Sequence, residues 1–240
     1  MDQLYAVLST YKSPKILDIA TGSGAFLEQL SNVIDHPSSL IGIDVKEEAI
    51  EAAKLIHTSP PYEFYVMDAH KMSFQDNSFD IVAICNSLHH LESSERVVEE
   101  MIRVLKPGGS LVVYEMISDD LSVKQQTHMF LHHYWAQIDM FNGITHKVTY
   151  SRTQLDDLFN TYGQLMNVHS SEVEKNVEET EELLVSLKES VRRYQDKTLE
   201  FSDADYYIRK GNQLIQRIEQ IGFDLATSYL LVFQKIKSAP

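Results

Sequence analysis

The sequence predicts an α/β protein: a Rossmann-like, seven-stranded, mostly parallel sheet with helices on both faces and a helical lid inserted at one edge. Three observations carry this expectation. Short apolar runs alternate with helical patterns through the first half of the chain, an order that builds parallel βαβ units. The first run, Lys15 to Ala20, lacks an apolar–polar alternation, as a strand covered on both faces does. That run ends in Thr21-Gly22-Ser23-Gly24, a glycine turn between a strand and a helix.

The elements follow in order. After the glycines, Phe26, Leu27, Leu30 and Ile34 recur at helical spacing. Leu40 to Val45 reads as a second strand, Lys46 to Ile56 as a helix rich in Glu and Ala, and Tyr62 to Met67 and Phe79 to Cys85 as two more strands. Ser94 opens a helix with Val97, Val98, Met101, Ile102 and Leu105 on its apolar stripe, and Pro107-Gly108-Gly109 is expected to stop it. Ser110 to Met116 reads as a fifth strand. Asp119 to Met140 looks helical and carries Phe130, Tyr134, Trp135 and several histidines. Ser151 suits the N-cap of a helix through Phe159, with Gly163 past its end. Leu165 to His169 reads as a sixth strand, Glu178 to Lys197 and Asp203 to Ile221 as helices, and Tyr229 to Ile236 as the last strand. Residues 1–240 are expected to form one domain. Its core is placed at 12–118 and 150–240, its lid at 119–148 on the carboxyl edge of the sheet, and extra helices at 176–221, which suit a cap or a homodimer surface.

Composition narrows the function classes. At 240 residues and 43% hydrophobic content, the chain can bury a sizeable core. A net charge of −14, with no Lys/Arg cluster, repels phosphate backbones and argues against nucleic acid as a partner. The one cysteine, Cys85, excludes an intramolecular disulfide and fits a reducing compartment. Met1-Asp2-Gln3-Leu4 has no basic segment leading into an apolar run, and no stretch approaches the roughly 18–20 apolar residues of a membrane span. A cytoplasmic location is expected.

The residues that carry chemistry cluster at strand ends. Glycines at 22 and 24 let the backbone turn sharply and approach a ligand. Asp18 stands beside that turn, where a carboxylate suits a cationic group and repels pyrophosphate. Asp44, 26 positions later, ends the second strand and suits two ribose hydroxyls; Asp68, followed by Ala69, ends the third and suits an amino group of a base. Each alone is an ordinary loop acid. Three acids on three successive strand ends beside a glycine turn point to one site.

At these positions residues 15–116 resemble the core of the class I S-adenosylmethionine-dependent methyltransferases, in the branch that includes small-molecule, quinone and lipid enzymes. Ile16 to Phe26 resembles the family's first motif, Ile41-Gly42-Ile43-Asp44 its second-strand motif and Met67-Asp68-Ala69 its third. Asn77-Ser78-Phe79-Asp80-Ile81-Val82 with Asn86-Ser87-Leu88-His89-His90-Leu91 resembles the fourth-strand region. Arg103-Val104-Leu105-Lys106-Pro107-Gly108-Gly109 resembles the entry to the fifth. Ala20 stands where the family usually has the first glycine of its loop. The resemblance implies S-adenosylmethionine (SAM) as methyl donor, S-adenosylhomocysteine as product, and cofactor contacts from Asp18, Ala20, Thr21, Gly22, Gly24, Asp44, Val45, Asp68, Ala69 and Asn86. The chain begins just before the first motif, so an N-terminal capping helix is expected to be very short. Enzymes that methylate DNA bases or glutamine often carry Asn/Asp-Pro-Pro-Tyr/Phe after the fourth strand; Asn86-Ser87-Leu88-His89 departs from it.

Methyl transfer to oxygen or nitrogen can require a base. His89 and His90 follow the fourth strand, His128, His132, His133 and Tyr134 lie on the lid helix, and His146 follows it. His89, His90 and His132 are taken as the catalytic candidates, although each also fits plain packing. His128 and His132 are four apart, a metal-compatible spacing, but no third ligand is evident and no metal site is expected. The lid aromatics form either core or the wall of a partly apolar acceptor pocket. The reading is therefore an enzyme that methylates a small-molecule acceptor from SAM, the accepting atom being open. A nicotinamide-dependent oxidoreductase shares the turn and the second-strand acid, yet explains neither Asp18 nor Asp68 and would need a glycine where Leu27 stands. A non-catalytic SAM-binding module is compatible with the same cofactor residues.

Overall fold

A computed structural model describes residues 2–175 and 177–237. Seven strands form one sheet: β1 (Lys15–Ile19), β2 (Ser39–Asp44), β3 (Tyr62–Val66), β4 (Phe79–Cys85), β5 (Leu105–Met116), β6 (Leu165–Val173) and β7 (Ser228–Lys235). Their order is β3-β2-β1-β4-β5-β7-β6. β1 to β5 pair in parallel, and β7 runs antiparallel to both β5 and β6. The direction of winding reverses between β1 and β4, which is where open α/β sheets hold ligands.

Both faces are covered, which is why the strands show no alternation in sequence. Successive residues point to opposite faces. Leu17, Ile19, Val82, Ile84 and Leu231 pack with helices α4 (Ser94–Val104) and α6 (Arg152–Asn160). Ile16, Leu40, Ile81, Ala83 and Val112 pack on the other face with α1 (Asp2–Leu8), α2 (Ala25–Val33) and α3 (Glu47–Ile56). The short first helix thus anchors Leu4 and Leu8 in this second core.

Beyond β5, Ile117 bridges to Tyr150 and the Ser118 N–H donates to the Tyr150 carbonyl at 3.0 Å, so the intervening segment leaves and rejoins the sheet at one point. It holds α5 (Val123–Phe141). Ser122 and Ser151 each make a capping box, with Gln125 and Gln154, fixing the starts of α5 and α6. Leu131, Tyr134 and Ile138 of α5 share a separate core with Val191 of α7 (Glu181–Asp196), Ile218 of α8 (Ala204–Ile221) and Phe223. Arg217 on α8 donates to the Thr127 hydroxyl and the Val123 carbonyl. The lid and the late helices therefore form one helical cap, whose core takes Leu187 and Val191 of α7 and Leu214 and Ile218 of α8 and leaves Val185 and Tyr206 exposed.

Some boundaries move. α4 ends at Val104, and β5 begins at Leu105 rather than at Ser110. The Pro107-Gly108-Gly109 break lies inside the strand, at a register shift against β4, with Gly108 at φ 81°. α5 starts at Val123 instead of Asp119, β6 runs on to Val173, and a 3₁₀ turn at Leu88–His90 was not foreseen. The segment expected from 176 opens at Asn176, which lies outside the described residues. Among the described residues no helix is long and apolar enough to cross a membrane.

Gly42 shows how tightly β2 supports the glycine turn. A Cβ there would stand 2.7 Å from both the Phe64 ring and the Thr21 methyl. Gly42→Ala is expected to cost about 1–3 kcal/mol through this overpacking, read as a lower midpoint of urea unfolding; an unchanged midpoint would contradict the packing.

Candidate active site

The sequence-predicted cofactor residues converge on one edge of the sheet. Asp18, near the end of β1, is 1% exposed. The Thr21 hydroxyl donates to its Oδ2 at 2.6 Å, while its Oδ1 is buried and has no hydrogen-bond partner. Burial pushes its pKa up to about 7, the Thr21 hydrogen bond opposes the rise, and the charge of Asp44 adds to it. The turn that follows has Ala20 at φ 52°, Gly22 at φ 55° and Gly24 at φ 83°. All three lie in the left-handed region, where Ala20 bears a strain that glycine escapes. The Thr21 N–H ties the turn to the Ile43 carbonyl at 2.9 Å. A Cβ at Gly22 would meet nothing within 4 Å, so the backbone there is bare to a ligand.

Asp44 buttresses this turn: its Oδ2 accepts from the Gly22 N–H at 3.0 Å and its Oδ1 from the Lys46 N–H at 2.9 Å. Val45 beside it is exposed and Ala69 buried. Asp68 Oδ1 accepts from the His70 N–H at 2.9 Å and lies 2.7 Å from the His70 ring. These bonds hold its carboxyl below the usual range. Asn86 follows β4 at φ 45°; its side-chain oxygen accepts from the Met116 N–H at 2.9 Å and so braces β5.

Beside Asn86 opens a cavity of about 260 Å³, walled by His89, His90, His132, Met116 and Leu225 among others. A larger cavity of about 530 Å³ lies between α5 and α8, lined by residues such as Phe130 and Arg217 and by no strand-end group; the smaller one adjoins the chemistry. His89 is buried. Its Nδ1 bonds the Glu115 carboxylate, whose other oxygen accepts from the Ser87 and Leu88 N–H groups at 3.1 and 3.2 Å. His89 Nε2 is buried without a partner. His146 Nδ1 lies 2.8 Å from Asp139 Oδ2, and its Nε2 lies 3.3 Å from His132 Nε2. Burial, then the neighbouring imidazoles, push the His132 pKa down to about 2 and that of His90 down to about 3. Both rings are neutral near pH 7, with lone pairs to offer and little tendency to take up protons.

The fold therefore brings the three catalytic candidates together and adds His146. His128 lines the same cavity but is engaged elsewhere: its Nδ1 accepts from the Ala226 N–H at 3.0 Å and its ring meets Phe223 edge-on. His133 bonds Thr149, and Tyr134 donates to the Tyr207 carbonyl within the cap. The sequence offered no third ligand beside His128 and His132, and the fold supplies a different grouping. The i, i+4 pair does not act together, but His132 meets three histidines from two other segments.

Residues 17–113 match a family described as a methyltransferase domain. A ubiquinone/menaquinone biosynthesis C-methyltransferase of Pseudomonas fluorescens (strain Pf0-1) is 33% identical over 105 residues, 42% of this chain and 41% of that protein. The chain thus spans under half the length of this curated relative. A Bacillus halodurans C-125 protein superposes with a TM-score of 0.67 over 98% of both chains at 15% identity. A SAM-dependent methyltransferase from Methanosarcina mazei superposes with a TM-score of 0.59 over 95% of both chains at 22% identity. Residues 17–113 thus resemble a methyltransferase domain, and the whole chain shares the fold of the superposed proteins.

SAM, named for the Methanosarcina mazei protein, bears a sulfonium and an ammonium group. The sheet edge described above fits such a ligand: the unpartnered oxygen of Asp18 and the bare backbone at Gly22 are features a cationic group would complete. Two functional groups escaped the sequence reading. Glu115 is a lone acid in the apolar strand Leu111-Val112-Val113-Tyr114-Glu115-Met116, and Asp139 is an acid buried on α5. In Glu115 the signal was present, because an acid in a strand covered on both faces needs a partner.

Asp18 also sets a test of stability. With its pKa raised from 3.8 to about 7, the folded chain holds a proton that the unfolded chain has released across that window. Stability from this group therefore falls as pH rises between those values. Asp18→Asn, which keeps an acceptor for Thr21, is expected to be more stable than the wild type at pH 8 and to lose this group's slope. Urea melts from pH 4.5 to 8 read both; a variant less stable at pH 8 would refute the unpaired buried carboxylate.

Proposed function

We propose that this chain is an enzyme that binds SAM along the carboxyl ends of β1, β2 and β3 and methylates a small, partly apolar acceptor held in the cavity beneath the cap. The observation that carries this reading is the buried, half-partnered Asp18 beside an open left-handed turn. Asp18 and the backbone at Gly22 and Gly24 would hold the charged amino-acid end of the cofactor. Asp44 and Val45 would take the ribose, and Asp68 with Ala69 the adenine. When bound, SAM supplies an electrophilic methyl group on its sulfonium. The chain's contribution is alignment and exclusion of water, since methyl transfer is an in-line displacement.

His89, His90 and His132 form the polar wall of the acceptor cavity and Met116 and Leu225 its apolar wall. That mixture supports a partly apolar acceptor, as does the likeness to the Pseudomonas C-methyltransferase of ubiquinone/menaquinone biosynthesis. The net charge of −14 supports a small molecule over nucleic acid, and the single cysteine supports a reducing cytoplasm.

Calorimetry with SAM, S-adenosylhomocysteine and NAD tests the reading. SAM and its product are expected to bind and NAD not to. Asp44→Ala should weaken SAM binding by about 1–3 kcal/mol, the scale of losing a hydrogen bond to a buried group. Affinity should also fall as pH drops through about 7, because the carboxylate form of Asp18 is the one that meets a cation. Binding of NAD alone would overturn the proposal. Binding of SAM without turnover over a broad acceptor panel would leave a non-catalytic SAM-binding module.

A further inference from the structure

We propose that His89, His90, His132 and His146 bind one divalent transition-metal ion of the zinc type, which clasps the cap to the carboxyl end of β4. His89 and His90 lie on the 3₁₀ turn after β4, His132 on α5, and His146 on the segment returning from α5. One ring nitrogen from each lies within 4.8 Å of the others. Tetrahedral zinc with bonds of about 2.0–2.1 Å sets its nitrogen ligands about 3.3–3.4 Å apart. His132 Nε2 and His146 Nε2 already stand at 3.3 Å, and ring rotations of the exposed His90 and its neighbours draw in the rest.

The tautomers suit ligation. A carboxylate only accepts hydrogen bonds, so the Nδ1 atoms of His89 and His146, bonded to Glu115 and Asp139, carry the protons. Their Nε2 lone pairs are then free. A carboxylate behind a ligating imidazole is how metal sites orient the ring and raise its basicity. Here both carboxylates are buried, with Glu115 also fixed by two backbone N–H groups and Asp139 by Tyr194 and Lys197. The unpartnered Nε2 of His89 is a second, independent sign: a buried nitrogen that none of the described residues satisfies. A set made only of imidazoles selects zinc, nickel or copper over magnesium or calcium, which prefer oxygen. The inference does not rest on methyl transfer. A loaded site would occupy the four lone pairs, leaving the rings to hold the cap in place.

The test uses the full chain, stripped of metal by a chelator and checked for folding by circular dichroism. Titration with zinc alone is expected to show one ion per chain and a rise in melting temperature, because an ion bound only by the folded state stabilises it. Magnesium should do neither. His132→Gln and His146→Gln should each weaken zinc binding at least about 100-fold. Asp139→Asn, which leaves all four ligands in place, should weaken it about 10–100-fold. His36→Gln, on a distant exposed turn, should bind as the wild type does. Cobalt should give the intense visible absorption of a tetrahedral site, lost in His146→Gln. A folded wild type without one-to-one zinc binding would overturn the proposal, and would reduce the His132–His146 contact to a hydrogen bond. Zinc binding that survives in both His132→Gln and His146→Gln would overturn it equally, by placing the ion on surface histidines. Neither result depends on SAM, so failure here is separate from failure of the methyltransferase reading.

Discussion

Asp18 is buried near the end of β1, between parallel neighbours, with one oxygen satisfied by Thr21 and the other by none of the described residues. Much of the sheet edge is arranged to keep it there. Covering both faces of β1 leaves no route to water for a carboxylate on that strand. The glycine turn must then double back immediately, which forces Ala20, Gly22 and Gly24 into left-handed backbone. Gly42 has no side chain because Thr21 and Phe64 close over it. Asp44 spends both oxygens on the backbone of the same turn and of α3's entry. A buried charge without a partner is expensive, and a fold with a net stability of a few kcal/mol retains such a group where a ligand completes it.

The second half of the site depends on the seam between β4 and β5. Asn86 turns its backbone left-handed and gives its side-chain oxygen to Met116, while its N–H meets the Tyr114 carbonyl. Glu115 then receives the next two N–H groups and the His89 ring. One carboxylate thus sets both the path of the turn after β4 and the orientation of the imidazole that leaves it. The same pair of strands places the turn beside β1 on one side and beneath the cap on the other. Cofactor edge and histidine cavity are therefore positioned by one rigid element rather than by mobile loops.

What was legible in the sequence was local. The strand–turn–helix from Lys15 to Val33 is contiguous, and its glycines and acids declare themselves at fixed spacing. Phe79–Cys85 was bounded to the residue, and Ser151 was recognised as a cap from its own side chain. Leu105 was misread because the apolar stripe of α4 runs into β5 without a change of residue type, and Pro107-Gly108-Gly109 looks like a terminator though it sits in a bulge. The histidine cluster was not legible. His89 and His90, His132, and His146 come from three segments, and only the return of the chain at Tyr150 and the cap core bring them together. Spacing along one helix pointed instead to His128, whose ring nitrogen the fold uses to satisfy Ala226.

The cap has a core of its own, separate from the two that flank the sheet. Its attachment to the strand ends therefore leans on directional polar contacts. The Lys147 N–H donates to the His89 carbonyl at 2.7 Å, Gln125 to Thr227 at 3.2 Å, and Ala226 to His128. Such contacts fix an angle and a register without the broad apolar adhesion that would close the cavity beneath them. On the proposed function, an acceptor enters this cavity and a demethylated cofactor leaves the neighbouring edge. A cap that is internally rigid and polar at its base meets both needs, because it can keep its shape while its few attachments break and re-form. The histidines stand at that base, where the cap meets the turn after β4.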